Sequence, residues 1–245
     1  MIRKLIPLIV FALSLTACDS GNIEEKTITV SSSGKTVKLT AVISGVQTWG
    51  GGKTIALAGF SDRSNYAVVQ RAIPATTADH SEVEVVLSSL GRGVRTVELV
   101  LSTPLRERLV TLAGIDLTDY EGHGPKDTIR LSLDTLDVSL YGCLQRGIFD
   151  RACIQCHGAT GRAAGRLDLM EGRSLTALVN VASTQKEGHI RVKAGDPAGS
   201  LLHLILNEGG ENLLHYNHTE VLSSQFRNNL EQVRELIDEW IGGLE

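Results

Sequence analysis

The chain is short of the residues that staple, stiffen or span. Only four cysteines occur in 245 residues, at positions 18, 143, 153 and 156. Three of them have separate chemical readings, which excludes a disulfide-stapled scaffold. Proline is scarce, with five, and no internal repeat or low-complexity tract interrupts the sequence. Positive charge is in no excess. The formal net charge is −4 and neither half is basic, so nucleic acid is not an expected partner. No apolar run reaches the roughly 20 residues of a comfortable membrane span. No nucleophile–base pair or pair of carboxylates is spaced for hydrolysis. What is present, 42% hydrophobic and 21% charged residues, is a globular mixture. The length suits one large domain or two ordinary ones of about 100–150 residues.

The first segment, MIRKLIPLIVFALSLTACDS, has the layout of a bacterial export signal. Arg3 and Lys4 precede a short apolar stretch, Leu5 to Leu15, which ends at the small residue Ala17 before Cys18. Leu15-Thr16-Ala17-Cys18 resembles the lipobox of bacterial lipoproteins. That resemblance implies removal of 1–17 as a signal peptide and acylation of Cys18, with 18–26 as a lipidated polar tether. The expected location is the cell envelope, anchored to a membrane through lipid and facing the periplasm or the exterior. An uncleaved anchor helix is the alternative.

Residues 27–140 read as an all-β, immunoglobulin-like sandwich. Period-two alternation recurs in Thr36–Ile43, Glu82–Leu87, Thr96–Leu101 and Thr128–Leu133, with glycine-rich breaks between. Seven or eight short strands fit this span, although no cysteine pair or strand tryptophan marks a true immunoglobulin domain. Ser33-Gly34-Lys35-Thr36 and Gly51-Gly52-Lys53-Thr54 lack the upstream glycine of a phosphate loop, where Thr29 and Gln47 stand instead. His80 and His123 read as solvated loop residues. Trp49 and Tyr66 read as ordinary core or edge residues, and the segment as a spacer or a docking module.

Residues 153–157, Cys-Ile-Gln-Cys-His, carry the strongest signal. Two thiols three apart can reach the two vinyl groups on one porphyrin edge. A histidine immediately after can swing under the iron, and Gly158 permits the turn. The reading is one covalently bound haem c, with thioethers from Cys153 and Cys156 and axial ligation by His157. A zinc site completed by His215 and His218, or a redox dithiol, competes. Export to an oxidising compartment favours haem.

Further motifs carry a family resemblance over about 141–245. Gly147-Ile148-Phe149 leading into CIQCHG, Gly165-Arg166-Leu167-Asp168-Leu169, Gly195-Asp196-Pro197 with Ser200-Leu201-Leu202, and Ile237-Asp238-Glu239-Trp240-Ile241 stand in order. Together they resemble the planctomycete-type c-type cytochrome domains of bacteria. The resemblance implies a chain of several domains, with an all-α monohaem cytochrome c domain over 141–245. In that domain the first and last helices would cross, with Gly147 and Trp240 as the candidate contact. Leu230, Val233, Ile237 and Trp240 form one apolar helix stripe on spacing alone.

The sixth iron ligand departs from the family. Relatives supply a methionine between the Gly-Asp-Pro helix and the final helix, whereas this chain has only Met1 and Met170. Met170 lies too early and reads as packing. The usual ligand region offers His215 and His218, so bis-histidine iron is expected, with His218 the first choice and His215 the alternative. His203 reads as a haem-edge or surface residue, and His189 as solvated. Such a centre moves single electrons between redox protein partners and has no open position for catalysis. Two other readings are a haem peroxidase or gas sensor with an open sixth position, and a binding module whose β-domain docks a dehydrogenase. Cys143 reads as a buried free thiol, with an intermolecular disulfide as the alternative.

Overall fold

Strand β1 (Lys35–Ser44) alternates half-buried and buried positions, with Val37, Leu39, Ala41 and Ile43 inward. That is the pattern of a strand with one dry face. A computed structural model describes residues 34–245 except 51, 125–126, 159–162 and 208. The expected signal peptide 1–17, Cys18 and the tether to residue 26 therefore lie outside the described residues. The other strands are β2 (Thr54–Phe60), β3 (Val69–Ala72), β4 (Ser81–Leu90), β5 (Thr96–Ser102), β6 (Arg108–Asp116) and β7 (Thr128–Asp137).

They form two sheets, ordered β4-β1-β7 and β3-β2-β5-β6. All pairings are antiparallel except β1 with β7, which run parallel from Thr36↔Thr128 to Ser44↔Asp137. Val37, Leu39 and Ile129 of the first sheet share one core with Ile55, Leu57 and Leu99 of the second. This order is not the ABED/CFG arrangement of an immunoglobulin sandwich. β2 and β5 are buried on both faces. On the outward face of their sheet lies a small second cluster of Ala58, Phe60, Ala67 and Val100. Trp49 is buried and its Nε1–H donates to the Val138 carbonyl at 2.5 Å, whereas Tyr66 is exposed.

After β7 the chain turns helical. Ser139 caps α1 (Leu140–Leu144), its hydroxyl accepting from the Gly142 N–H at 3.2 Å. The helix widens into a nine-residue π-helix, Gln145–Cys153, and closes with α2 (Ile154–His157). Such widened turns cluster at functional sites. Then follow α3 (Ser174–Leu178), α4 (Leu201–Leu206), α5 (His218–Gln225) and α6 (Leu230–Gly242). A buried polar cluster fixes the π-helix to the segment after the thiols. The Gln145 amide donates to Asp150 at 2.7 Å and to the Leu169 carbonyl at 2.9 Å, and the Ser174 hydroxyl donates to Gln145.

The expected multidomain architecture, with its all-α cytochrome c domain over 141–245, is corrected here. From Gly34 onward the chain is one compact unit dominated by two sheets, with mostly short helices laid against them. The core runs without a break from Val37 to Ile241. The reason is visible at Gly147. A Cβ there would come within 2.7 Å of the Val110 side chain on β6, so the π-helix backbone lies directly on the sheet. The expected Gly147–Trp240 contact is thus replaced by Gly147 on Val110. Trp240 meets Tyr141 and Phe149 instead, with ring centres 6.0 and 6.2 Å apart. The Asn229 amide donates to the Leu109 carbonyl, and the Arg146 guanidinium to the Leu112 carbonyl at 3.3 Å. A face that an isolated helical domain would offer to water is buried on a strand.

Candidate functional site

The π-helix and α2 bring Cys153, Cys156 and His157 to the edge of a cavity of about 530 Å³. Its walls are apolar, with Ile148, Phe149, Leu178, Ile205, Leu222 and Ile237 among them. That volume lies within the range of a cofactor site. Gly158 ends α2, and a Cβ there would press within 2.6 Å of the Ile154 carbonyl oxygen, so the tight exit needs glycine. The His157 carbonyl accepts from the Leu169 N–H at 2.7 Å, which ties the histidine to the Leu167-Asp168-Leu169 segment. Neither Cys153 nor Cys156 is in a disulfide. Burial, reinforced by the neighbouring Cys156 and Asp150, pushes the Cys153 thiol up to about 12.

His218 opens α5 on the opposite wall. Asn217 caps that helix by accepting from the Glu220 N–H at 3.1 Å, and the Thr219 hydroxyl donates to the Ile205 carbonyl at 3.1 Å. The His157 and His218 rings lie 6.1 Å apart, centre to centre, with 20° between their planes. With metal–imidazole bonds of about 2.0–2.1 Å and roughly 1.1 Å from ring nitrogen to ring centre, a metal held between the two rings would set their centres about 6.3 Å apart.

The tautomers also match. Each Nδ1 faces a backbone carbonyl, Ala164 for His157 and Tyr216 for His218, both at 2.9 Å. A carbonyl only accepts, so each Nδ1 carries the proton and each Nε2 keeps its lone pair. Carbonyl-anchored imidazoles are the usual second layer around a metal. Burial lowers the pKa of both rings and outweighs the carbonyls that raise it. Arg191 adds to this at His157, and His157 itself at His218. Both shifts favour the neutral ring, the form that ligation requires.

Arg191 lines the same cavity with 8% of its surface exposed. Its guanidinium donates to the Ala177 and Gly165 carbonyls at 2.8 and 3.1 Å, and meets no carboxylate among the described residues. Burial lowers its pKa. A buried cation without a counter-charge is costly, and an acidic substituent on a bound group would relieve it. The two thiols, two lone-pair nitrogens, dry walls and one buried guanidinium fit a haem attached through thioethers. Among the described residues, no group of three or more histidine, cysteine or acidic side chains is gathered as a metal site.

The other sequence candidates fall elsewhere. His215 is exposed at the cavity rim, beside Tyr216. Met170 is partly exposed, outside the cavity lining, and its sulfur accepts from Arg173 at 3.1 Å. His203 Nδ1 pairs with Asp238 at 2.7 Å, and the half-buried His189 faces the Glu187 carbonyl at 3.1 Å. Cys143 is fully buried, its thiol donating to the Val138 carbonyl at 3.4 Å, and burial raises its pKa strongly. Sequence reasoning missed Arg191, for which burial was the only signal. It also missed Glu98, which stands at a position of β5 that reads as wet. Comparison of the chain with protein-family models, with curated proteins and with solved structures found no match.

Proposed function

We propose that the chain is a membrane-anchored monohaem c-type haem protein that carries single electrons between redox proteins outside the cytoplasm. The observation that carries this reading is the His157–His218 pair, set 6.1 Å apart across an apolar cavity edged by Cys153 and Cys156. Haem supplies a one-electron iron couple. Cys153 and Cys156 would hold the ring through thioethers, the carbonyl-anchored His157 and His218 would be its iron ligands, and the apolar walls would keep water out. Two imidazoles in place of histidine and methionine favour a lower potential and leave no position for peroxide or a gas. Lipidation at Cys18 would keep the carrier at the membrane surface, consistent with the lipobox-like sequence.

The test is a haem stain with oxidised and reduced spectra of protein matured alongside a cytochrome c assembly system. The expected result is covalently retained haem, a low-spin spectrum and no response of reduced protein to carbon monoxide. A high-spin iron that binds carbon monoxide would transfer support to the sensor or peroxidase reading. Colourless protein, or zinc at the thiols, would refute haem altogether.

A further inference from the structure

A second cavity, of about 480 Å³, lies on the other side of the π-helix. Strands β5 and β6 form its floor, Arg151 of the π-helix one wall, and the α5–α6 turn, Gln225–Asn229, the other. Unlike the first cavity it is polar. Its floor is a fixed ion pair in which Arg108 Nη1 donates to both Glu98 oxygens, at 2.8 and 2.9 Å. The Thr96 and Thr111 hydroxyls each donate to Glu98 at 2.7 Å. Asn65 accepts from Arg108 Nε at 3.0 Å, and the Arg108 guanidinium lies over the Phe60 ring at 4.6 Å. The remaining acid of the cleft, Asp116, is engaged by Arg95 at 2.9 Å.

Both acids are thus spoken for, and two cations are not. Arg151 and Arg227 face this cleft with no carboxylate within ion-pair distance among the described residues. The Gln225 and Asn228 amides beside them have no protein partner among the described residues either. A polar cleft whose acids are already engaged and whose lining includes two exposed guanidiniums outside any ion pair favours a hydrophilic anion. Arginine binds carboxylate and phosphate in bidentate fashion. The geometry points to a binding site for a small organic oxyanion, a carboxylate first, gripped by Arg151 and Arg227 with Gln225 and Asn228 reading its neighbouring hydroxyls. One wall is the π-helix that leads into α2, and the other is the turn that follows α5. The site needs no haem for its argument.

Full-length protein is titrated with citrate, succinate, phosphate and sulfate at constant ionic strength, and the heat-unfolding midpoint is followed. A carboxylate should raise it saturably, by roughly 5–10 °C at about a hundredfold excess over Kd. The larger of the carboxylate and phosphate responses identifies the headgroup. Arg151→Gln and Arg227→Gln should each weaken the response about tenfold or more, whereas Arg92→Gln, in the β4–β5 turn and outside the cavity lining, leaves it intact. No saturable rise with any of the four anions, or a rise that survives both substitutions, overturns the site. The readout is heat stability, so coloured and colourless protein serve equally, and failure of this site is distinct from failure of the haem reading.

Discussion

Gly147→Ala tests whether the helix that carries Cys153 is part of the sheet structure or a neighbour to it. The new methyl would stand 2.7, 3.0 and 3.3 Å from the Val110 Cβ, Cγ2 and Cγ1 atoms. Ordinary carbon contacts are about 3.5–4.0 Å, so one element must move by up to about 1 Å. Both residues are buried and Val110 is held in a paired strand. Overpacking of this kind costs about 1–3 kcal/mol. Replacing a helical glycine with alanine returns about 1 kcal/mol of that. The net loss is about 1 kcal/mol, a fall of roughly 2–4 °C in the unfolding midpoint for a chain of this size. Val110→Ala alone should lose about 2–3 kcal/mol. The double variant should lose less than the sum by about 1–2 kcal/mol, because the new methyl occupies space the valine vacates. Urea unfolding is followed by far-ultraviolet circular dichroism and by haem absorbance, and the two transitions should coincide. Additive losses, or a haem transition separate from that of the sheet, would refute the shared core.

On the haem reading, His218→Ala should convert the iron to a high-spin form that binds carbon monoxide, while His215→Ala leaves the visible spectrum unchanged. For Glu98, burial pushes the carboxyl up, but Thr111, Thr96 and the Arg108 guanidinium outweigh it and hold it below the ordinary value of 4.5. A depressed carboxyl contributes stability above its unfolded value, lost as pH falls through the folded one. Denaturation at pH 7 should show Glu98→Gln about 2–3 kcal/mol less stable than the parent, with the gap narrowing below about pH 4.5. Cys143 should resist alkylation in the native protein and react fully in urea, as peptide mass mapping will show; labelling of native protein would place it at an interface.

The strands were legible because a half-buried strand writes its period into the sequence. Thr36–Ile43 and Thr128–Leu133 alternate as one-faced strands must, and both lie inside strands of the structure. That they pair with each other in parallel was not legible, since pairing is fixed by contacts some 90 residues apart. Glu98 was misread for a physical reason. Its strand alternates, but the outward face carries a buried ion pair rather than water. The helical half was misassigned as a separate domain because its motifs describe the lining of the cavity and say nothing of the opposite helix face. Gly147 reads the same whether it meets Trp240 or Val110. The CIQCH spacing, by contrast, is a local constraint, and α2 carries it. His218 was preferred on its distance from Trp240; the structure sets its ring opposite His157, with His215 at the rim.

The parallel partnership of β1 with β7 has a consequence for biogenesis. The first sheet cannot be completed until Thr128–Asp137 has been synthesised and released, and registry between such remote partners is slow to find. The thiols follow only sixteen residues behind Asp137. They therefore emerge while the two sheets are still unfinished and the pocket still has no far wall, since α5 is the last but one helix to arrive. On the proposed reading, that delay would be the interval in which a maturation enzyme could solder the pigment in place before the polypeptide shuts around it.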